Sequence, residues 1–246
     1  MIALNIEQLE SFGVKRKDQH TLGVPIIELL NEEVCHSFLL RYMEDIKAPN
    51  KKVAASLFMK QYARSVVAST LHSIGSYNCA LSLPTHACMF SNERKLCVQE
   101  GSCRFQAWEQ GEREAWRESL LRELFSYHIT PLIGVLRNTS RVSVHILWEN
   151  VAVRVNSVYR KALAAETCQE RKKQLSSDFY YLQDAEGDLF QWDQNPISPY
   201  LKSPPDSSAT HYRQTCCLYH RLKEDPEGIQ FCNNCPIGKK VTRNAK

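Results

Sequence analysis

The sequence predicts a predominantly helical α+β protein with a small antiparallel sheet around residues 77–107 and a cysteine-rich block at its C-terminal end. Three observations support this fold class. The chain has only 9 glycines and 10 prolines in 246 residues, and such a shortage of turn-forming residues favours helices over a many-stranded β-sandwich. Apolar residues recur at helical spacing through most of the chain. Four of the ten cysteines lie within 20 residues near the C-terminal end.

Five stretches have the apolar spacing of amphipathic helices. Asparagine, serine and proline mark where several of them begin or bend, because these residues cap or interrupt helices. The predicted helices are Pro25–Ile46, a helix from the cap at Asn50 to about Ile74, a helix from about Gly111 that Pro131 breaks or kinks, the clearest apolar stripe from Val144 to Ala162 with Ser140 as its cap, and Gln169–Leu182.

The segment Gly75–Gln106 differs from its helical neighbours. Apolar and polar residues alternate there, and Pro84 and Gly101 punctuate the runs, which is typical of short antiparallel strands. Farther on, Asn195–Ser208 holds four prolines and four serines and reads as a linker or an ordered loop. We therefore expect a body of helices and a small sheet over residues 1–210, with residues 211–246 packed on it as a C-terminal segment.

The positive charge is concentrated at one end of the chain. Residues 211–246 contain seven basic and three acidic residues, which accounts for the whole formal net charge of +4, whereas residues 1–210 hold 24 of each sign. This split suggests that something anionic is held or approached at the C-terminal end. For the basic residues within 239–246 alone, a solubilising tail is the favoured interpretation. A neutral body without a basic, aromatic-interleaved stripe argues against nucleic acid as a partner.

The sequence gives no sign of export or of a membrane span. Met1–Glu10 contains acidic and amide residues where a signal peptide needs an apolar run, and no stretch reaches 18 uninterrupted apolar residues. We therefore expect a cytoplasmic protein whose cysteines are reduced. Cysteine in that setting indicates metal binding, redox chemistry or core packing.

The C-terminal cysteines form an adjacent pair, Cys216-Cys217, and a Cys-x2-Cys motif, Cys232 to Cys235. Four thiolates satisfy one tetrahedral zinc ion or one [2Fe–2S] cluster. Adjacent cysteines chelate a single small ion awkwardly, whereas a binuclear cluster needs two thiolates on each of two irons. The spacing therefore favours iron–sulfur over zinc as the occupant of a metal-binding block, with core packing or disulfides as the other alternative.

These residues resemble a known family. Arg213-x2-Cys216-Cys217, a spacer and Cys232-x2-Cys235-Pro236 together are similar to the C-terminal signature of ferric-siderophore reductases of the FhuF type. The helical region in which Trp148-x-Asn150-x-Ala152 follows Leu132–Leu147 is similar more loosely. One difference is the spacer between the two cysteine motifs, which has fourteen residues here and usually ten in the family. The stretch Lys223–Gly228 reads as a turn-containing insertion.

The resemblance implies an oxidoreductase, a ferric-siderophore reductase. Its [2Fe–2S] cluster, held by Cys216, Cys217, Cys232 and Cys235, would pass one electron to siderophore-bound Fe(III) and release Fe(II) in the cytoplasm. We find no Gly-x-Gly-x-x-Gly or Gly-x4-Gly-Lys-[Ser/Thr] motif, so the electron is expected from a separate donor protein, a ferredoxin or a flavoprotein reductase. No catalytic acid, base or nucleophile is expected. The alternative is a zinc-stabilised module that binds a protein or nucleic acid without redox activity.

Other metal-ligating and charged residues have competing interpretations. Cys79, Cys88, Cys97 and Cys103 lie in the predicted sheet and with His86 would make a second metal site, but none of them forms a tight hook. We predict that they are small buried hydrophobic residues.

Two histidines and two arginines flank the cysteine motifs. His211 and His220 are alternative ligands that would replace a thiolate. Arg213 and Arg221 would offset the negative charge of a cluster or face an anionic chelate, and a plain surface role is equally open.

Overall fold

The computed structural model describes residues 5–99, 101–202, 212–222 and 231–238. Several sequence-based expectations concern residues outside these ranges. They are the ligand role of His211, the second half of the proline-rich segment, the insertion at Lys223–Gly228 and the basic residues within 239–246.

The protein is predominantly helical, as the sequence predicts, and its strands form two small sheets where one was predicted. Its helices are α1 (Ile26–Leu29), α2 (Glu32–Asp45), α3 (Lys51–Tyr77), α4 (Arg113–Leu124), α5 (Thr130–Ser140), α6 (Val144–Ala165) and α7 (Gln169–Asp184). Short 3-10 helices include Glu7–Phe12 before the first strand and Tyr219–Arg221 in the cysteine block.

Helix α3 forms the centre of the body and packs along α6. It begins where the sequence predicts, because the Asn50 side chain accepts a hydrogen bond from the backbone N–H of Val53 at 3.1 Å and so caps the first turn. It is buried on nearly all sides, with Phe58, Tyr62 and Leu71 fully buried. A helix that is buried on nearly all sides lies in the middle of a core, with the other elements packed around it.

The strands form a four-stranded mixed sheet and a two-stranded sheet. The first has the order β1-β5-β4-β2, in which β1 runs parallel to β5 and the other pairs are antiparallel; the second pairs β3 with β6. Their bounds are β1 (Val14–Arg16), β2 (Gly23–Pro25), β3 (Cys79–Leu81), β4 (Cys88–Ser91), β5 (Leu96–Val98) and β6 (Phe105–Ala107). The predicted region near 77–107 therefore supplies four strands, and two more come from the N-terminal part.

The single helix predicted over Pro25–Ile46 is wrong. Pro25 ends strand β2, and the helical stretch is divided into α1 and α2. The division falls at Asn31, whose side chain accepts the backbone N–H groups of Glu33 and Val34 at 2.9 and 3.2 Å. A side chain that satisfies these free N–H groups starts a new helix.

The helix predicted from about Gly111 is interrupted before Pro131, as expected for a kink. A π-helical turn, Phe125–Ile129, joins α4 to α5, and Pro131 lies in the first turn of α5, where its missing N–H costs nothing. The predicted cap of the next helix was wrong, because α6 begins after Ser143. Ser140 instead ends α5, with its hydroxyl donating to the Leu136 carbonyl at 2.7 Å.

Within the described residues, no helix is both long enough and apolar enough to cross a membrane.

Candidate metal centre

The structure brings all four C-terminal cysteines together as two pairs. The Sγ atoms of Cys217 and Cys232 are 3.6 Å apart. Burial, followed by the neighbouring Cys217 and Cys235, raises the pKa of the Cys216 thiol, which places Cys235 close to Cys216. Each pair joins one residue of the adjacent cysteines to one residue of the Cys-x2-Cys motif. Cys217 and Cys235 are buried, while Cys216 and Cys232 are half-buried. The group therefore has one side against the protein and one side near solvent.

Local backbone geometry turns the sulfur atoms toward each other. Leu218 adopts the left-handed conformation, with φ of 65°, and its N–H donates to Cys216 Sγ at 3.3 Å. In the other motif the Cys235 N–H donates to the Cys232 carbonyl at 2.9 Å, which closes a tight turn. These two backbone turns bring cysteines from separate segments close together.

The cysteine block is anchored to α6 by a buried carboxylate. Glu149, which is 2% exposed, accepts the backbone N–H groups of Gln214 and Thr215 at 2.6 and 2.7 Å, as well as the Thr215 hydroxyl. Its Oε2 lies 3.5 Å from the Arg213 Nη2 atom. Because these are charge-assisted contacts inside the protein, they hold the backbone just before Cys216 firmly in place.

Arg213 ties the two cysteine segments to each other and to α6. Its guanidinium donates to Asn150 Oδ1 at 2.7 Å and to the Thr215 carbonyl at 3.0 Å, and its backbone N–H donates to the Asn234 carbonyl at 2.9 Å. Arg213 is only 6% exposed. A plain surface role is therefore wrong for Arg213, whose charge faces Glu149, and its contact with an anionic chelate stays a prediction. Arg221 is exposed, and its contact with a chelate stays a prediction.

Helix α3 supplies two further contacts to Cys217. The Ser56 hydroxyl donates to the Cys217 carbonyl at 2.9 Å, and Lys60 Nζ lies 3.6 Å from Cys217 Sγ. The Cys217 pKa is held well below its ordinary value, first by the hydrogen bond from the Cys232 thiol and then by the positive charges of Lys60 and Arg213, against the opposing effect of burial. The Cys232 pKa is correspondingly raised. Cys217 is therefore the thiol that ionises most readily, and thiolate is the form that binds metal.

The observed spacing fits two thiolates on one tetrahedral metal ion. With metal–sulfur bonds of about 2.3 Å, tetrahedral geometry places two sulfurs about 3.8 Å apart. The 3.6 Å between Cys217 and Cys232 is close to that value. Among the described residues, no three histidine, cysteine or acidic side chains are arranged as a group that could hold a metal ion.

His220 lies beside the centre, whereas the four sheet cysteines do not form a second one. His220 Nδ1 is 3.3 Å from Cys216 Sγ, and its ring stacks on Phe231.

In the sheet, Cys88 is paired with Val98 and Cys97 with Met89, so that Cys88 and Cys97 point to opposite faces. Cys103 lies beside Cys88. The buried positions of Cys88 and Cys97 agree with their interpretation as core residues.

A family model matches residues 102–202, and the family is described as ferric iron reductase FhuF-like transporter. This segment resembles that family, and we call it the FhuF-like segment. The match confirms the resemblance inferred from the sequence and supports a function of the ferric-reductase type. Its position is informative, because the FhuF-like segment runs from the second sheet to the end of the body and stops before Cys216. No curated protein matches the chain.

The FhuF-like segment contains the anchor of the cysteine block. Glu149 and Asn150 both lie within it, on α6, and their side chains hold Arg213 and its neighbours. The sequence analysis singled out Asn150 as part of the family-like stretch but missed Glu149, Ser56 and Lys60. Two polar residues in succession within the apolar stripe of α6 were the available signal for Glu149. Lys60 carried none, because a lysine in a long helix is ordinarily a surface residue.

Proposed function

We propose that this protein reduces siderophore-bound Fe(III) to Fe(II) in the cytoplasm, with Cys216, Cys217, Cys232 and Cys235 as the ligands of a [2Fe–2S] cluster. The observation that carries the proposal is the pairing of these cysteines across two segments, with 3.6 Å between Cys217 and Cys232, on a loop anchored to an FhuF-like helix. The cysteine-rich block and the ferric-reductase family both favour a metal or iron–sulfur cofactor.

The donor set suits such a cluster, which would supply one electron at a time when bound. Two cysteine pairs provide two thiolates for each of two irons. The backbone N–H of Leu218, 3.3 Å from Cys216 Sγ, donates toward a sulfur, and such hydrogen bonds tune the reduction potential of a centre. The Lys60 ammonium, 3.6 Å from Cys217 Sγ, offsets the negative charge that four thiolates bring together.

The body controls how far the centre is exposed. Cys217 and Cys235 face the protein, and the contacts of Glu149 with Gln214 and Thr215 keep that side closed. Cys216 and Cys232 remain partly accessible, which leaves a side from which a chelate and a donor protein can approach. The chain therefore orients the ligands and shields one face from water.

The reaction needs little more from the protein. Hard oxygen ligands bind Fe(III) much more strongly than Fe(II), because the lower charge weakens every metal–oxygen bond. One electron therefore loosens the iron, and a chelator or protein that captures Fe(II) pulls the transfer forward. We propose that the electron comes from a separate ferredoxin or flavoprotein reductase.

Spectroscopy on anaerobically purified protein tests the cofactor. We expect visible absorption, an EPR signal after one-electron reduction, and about two irons per chain by metal analysis. Ser in place of any one of Cys216, Cys217, Cys232 or Cys235 should abolish or cripple these signals, because an alkoxide is a poor substitute for a thiolate. Cys97→Ser, a matched change on strand β5, should leave them intact.

Activity is tested by stopped-flow reoxidation of the reduced protein with ferric siderophores in the presence of an Fe(II) trap. Reoxidation that releases Fe(II) to the trap supports the function. A colourless protein with stoichiometric zinc would refute it, since the sulfur spacing suits tetrahedral zinc equally well. Failure of every ferric chelate to reoxidise an intact cluster would also refute it.

A further inference from the structure

A cavity of about 600 Å³ lies beside Cys217. Its walls come from the end of α2, from α3, from α6, from the turn between β4 and β5, and from the Tyr219–Arg221 helix of the cysteine block. We call it the Lys60 cavity, because Lys60 lines it and also contacts the cysteine centre. Lys60 Nζ is 3.6 Å from Cys217 Sγ and 4.9 Å from the centre of the Tyr219 ring. A molecule in this cavity is therefore separated from Cys217 by a single side chain.

The walls of the Lys60 cavity carry more positive than negative charge. Five basic residues line it, against two acidic ones, and they are Lys47, Lys60, Arg94, Lys95 and Arg154, with Asp45 and Glu93. One of the acidic residues, Glu93, is 3.7 Å from Lys15, which lies outside the cavity. A concave site lined mostly by one sign of charge concentrates the field and attracts ions of the opposite sign.

Arg154 adds a half-buried positive charge to the wall of the cavity. Its Nη2 donates to the Lys60 carbonyl at 3.3 Å, and its Nε has no hydrogen-bond partner among the described residues. A guanidinium stays charged at neutral pH even when burial lowers its pKa, here to about 10. An anion in the cavity would compensate that charge.

The size of the cavity selects among anions. Pockets of about 300–1,000 Å³ hold ligands of the size of drugs and cofactors. A ferric complex wrapped in oxygen ligands is of this size, and its charge depends on those ligands. Three catecholates give Fe(III) a net charge of −3, whereas three hydroxamates give a neutral complex.

We propose that the Lys60 cavity is the docking site for anionic, oxygen-liganded ferric chelates and favours them over neutral ones. The proposal rests on the proposed reductase function for its substrate, and it assigns the docking charge to the body. The sequence alone placed that charge in the C-terminal block, at Arg213 and Arg221. Residues that are far apart in sequence, such as Lys47 and Arg94, converge only in the folded protein.

Binding is measured with gallium(III) complexes, which have the charge and shape of the ferric ones but do not accept an electron. The full-length protein is titrated calorimetrically with gallium(III) tris-catecholate, of charge −3, and with the neutral gallium(III) tris-hydroxamate. The test variant is Lys47→Glu with Arg94→Glu, two exposed residues on the rim. The control variant is Arg137→Glu with Lys173→Glu, which are exposed elsewhere. Both double variants lower the formal net charge from +4 to zero.

We expect the rim variant to weaken binding of the trianion at least tenfold, or about 1.4 kcal/mol, and to leave the neutral complex within twofold of wild type. The control variant should bind both complexes as wild type does. The proposal is overturned if wild type does not bind the trianion, if the two variants lose affinity equally, or if the neutral complex binds as tightly as the trianion. Stopped-flow measurements with the ferric complexes distinguish failure of the docking proposal from failure of the proposed reductase function. Gallium binding as expected, without any reoxidation of reduced protein, refutes the reductase function and leaves the anion site standing.

Discussion

Glu149→Gln should detach the cysteine block from the body. The wild-type carboxylate accepts two backbone N–H groups and a hydroxyl from the residues just before Cys216, and it lies 3.5 Å from the Arg213 guanidinium. A glutamine side chain has one oxygen in place of two, and its amide nitrogen would face backbone donors. The substitution also leaves the buried Arg213 charge without its partner.

The expected cost follows from the burial of both charges. The side chains of Glu149 and Arg213 are each 3% exposed, so that solvent screens their interaction little. Removing one partner of such a pair costs about 3–5 kcal/mol. At about 1.4 kcal/mol per factor of ten, the detached state becomes on the order of a hundred to several thousand times more populated. The body should stay folded, because the buried residues of its core surround α3 and all lie between Ile6 and Leu201.

Alkylation of Cys217 measures this detachment. We expect the buried Cys217 thiol in metal-free, reduced protein to react at least a hundred times faster with iodoacetamide in Glu149→Gln than in wild type, by mass spectrometry. Metal content after purification should fall in parallel. Glu114→Gln makes the same chemical change on an exposed part of α4 and should alter neither quantity. A Cys217 rate within threefold of wild type in Glu149→Gln would refute the role of Glu149 as the anchor.

Two further predictions concern the stability of the body. Burial lowers the pKa of His128 from 6.5 to about 4, so between those pH values the unfolded chain binds a proton that the folded one does not. The free energy of unfolding is therefore highest above pH 6.5 and falls by about 3 kcal/mol as the pH drops to 4. Urea unfolding of His128→Gln at the same pH values should not show this loss. Asp178 is fully buried and binds Arg113 through two bonds of 2.7 Å and Arg117 at 2.8 Å. Asp178→Asn should lower the free energy of unfolding by about 3–5 kcal/mol, and a loss below 1 kcal/mol would contradict this.

Helices with a strong local signal could be predicted from the sequence, and those shaped by distant contacts could not. Asn50 caps α3 through its own side chain, so the start of that helix is encoded within four residues. Strands β1 and β2 lie outside the predicted sheet region because each has only three residues, too few for alternation to show. They exist because β5 and β4 offer them backbone partners from 64 to 82 residues farther along the chain.

The residues of the candidate site also differ in whether a local signal in the sequence reveals them. The cysteines could be found because their side-chain chemistry is unusual at such short spacing. Lys60 and Glu149 could not, because each becomes significant only through a partner more than sixty residues away, Cys217 for Lys60 and the Gln214 and Thr215 backbone for Glu149. Arg213 was correctly associated with the site, but its partner Glu149 was not found, since the sequence gives proximity to a motif and not the residue that compensates a charge.

The family match ends at residue 202, but side-chain contacts join the FhuF-like segment to the cysteine block. Glu149 and Asn150 are buried polar residues on the apolar stripe of α6, and burying them has a free-energy cost unless their hydrogen bonds are made. The partners that make many of those bonds are Arg213, Gln214 and Thr215. A body that folded without the block would leave a buried carboxylate uncompensated. The matched helix is thus built to receive the cysteine loop, and the two parts are best understood as one functional unit in which α6 sets the position of Cys216 and Cys217.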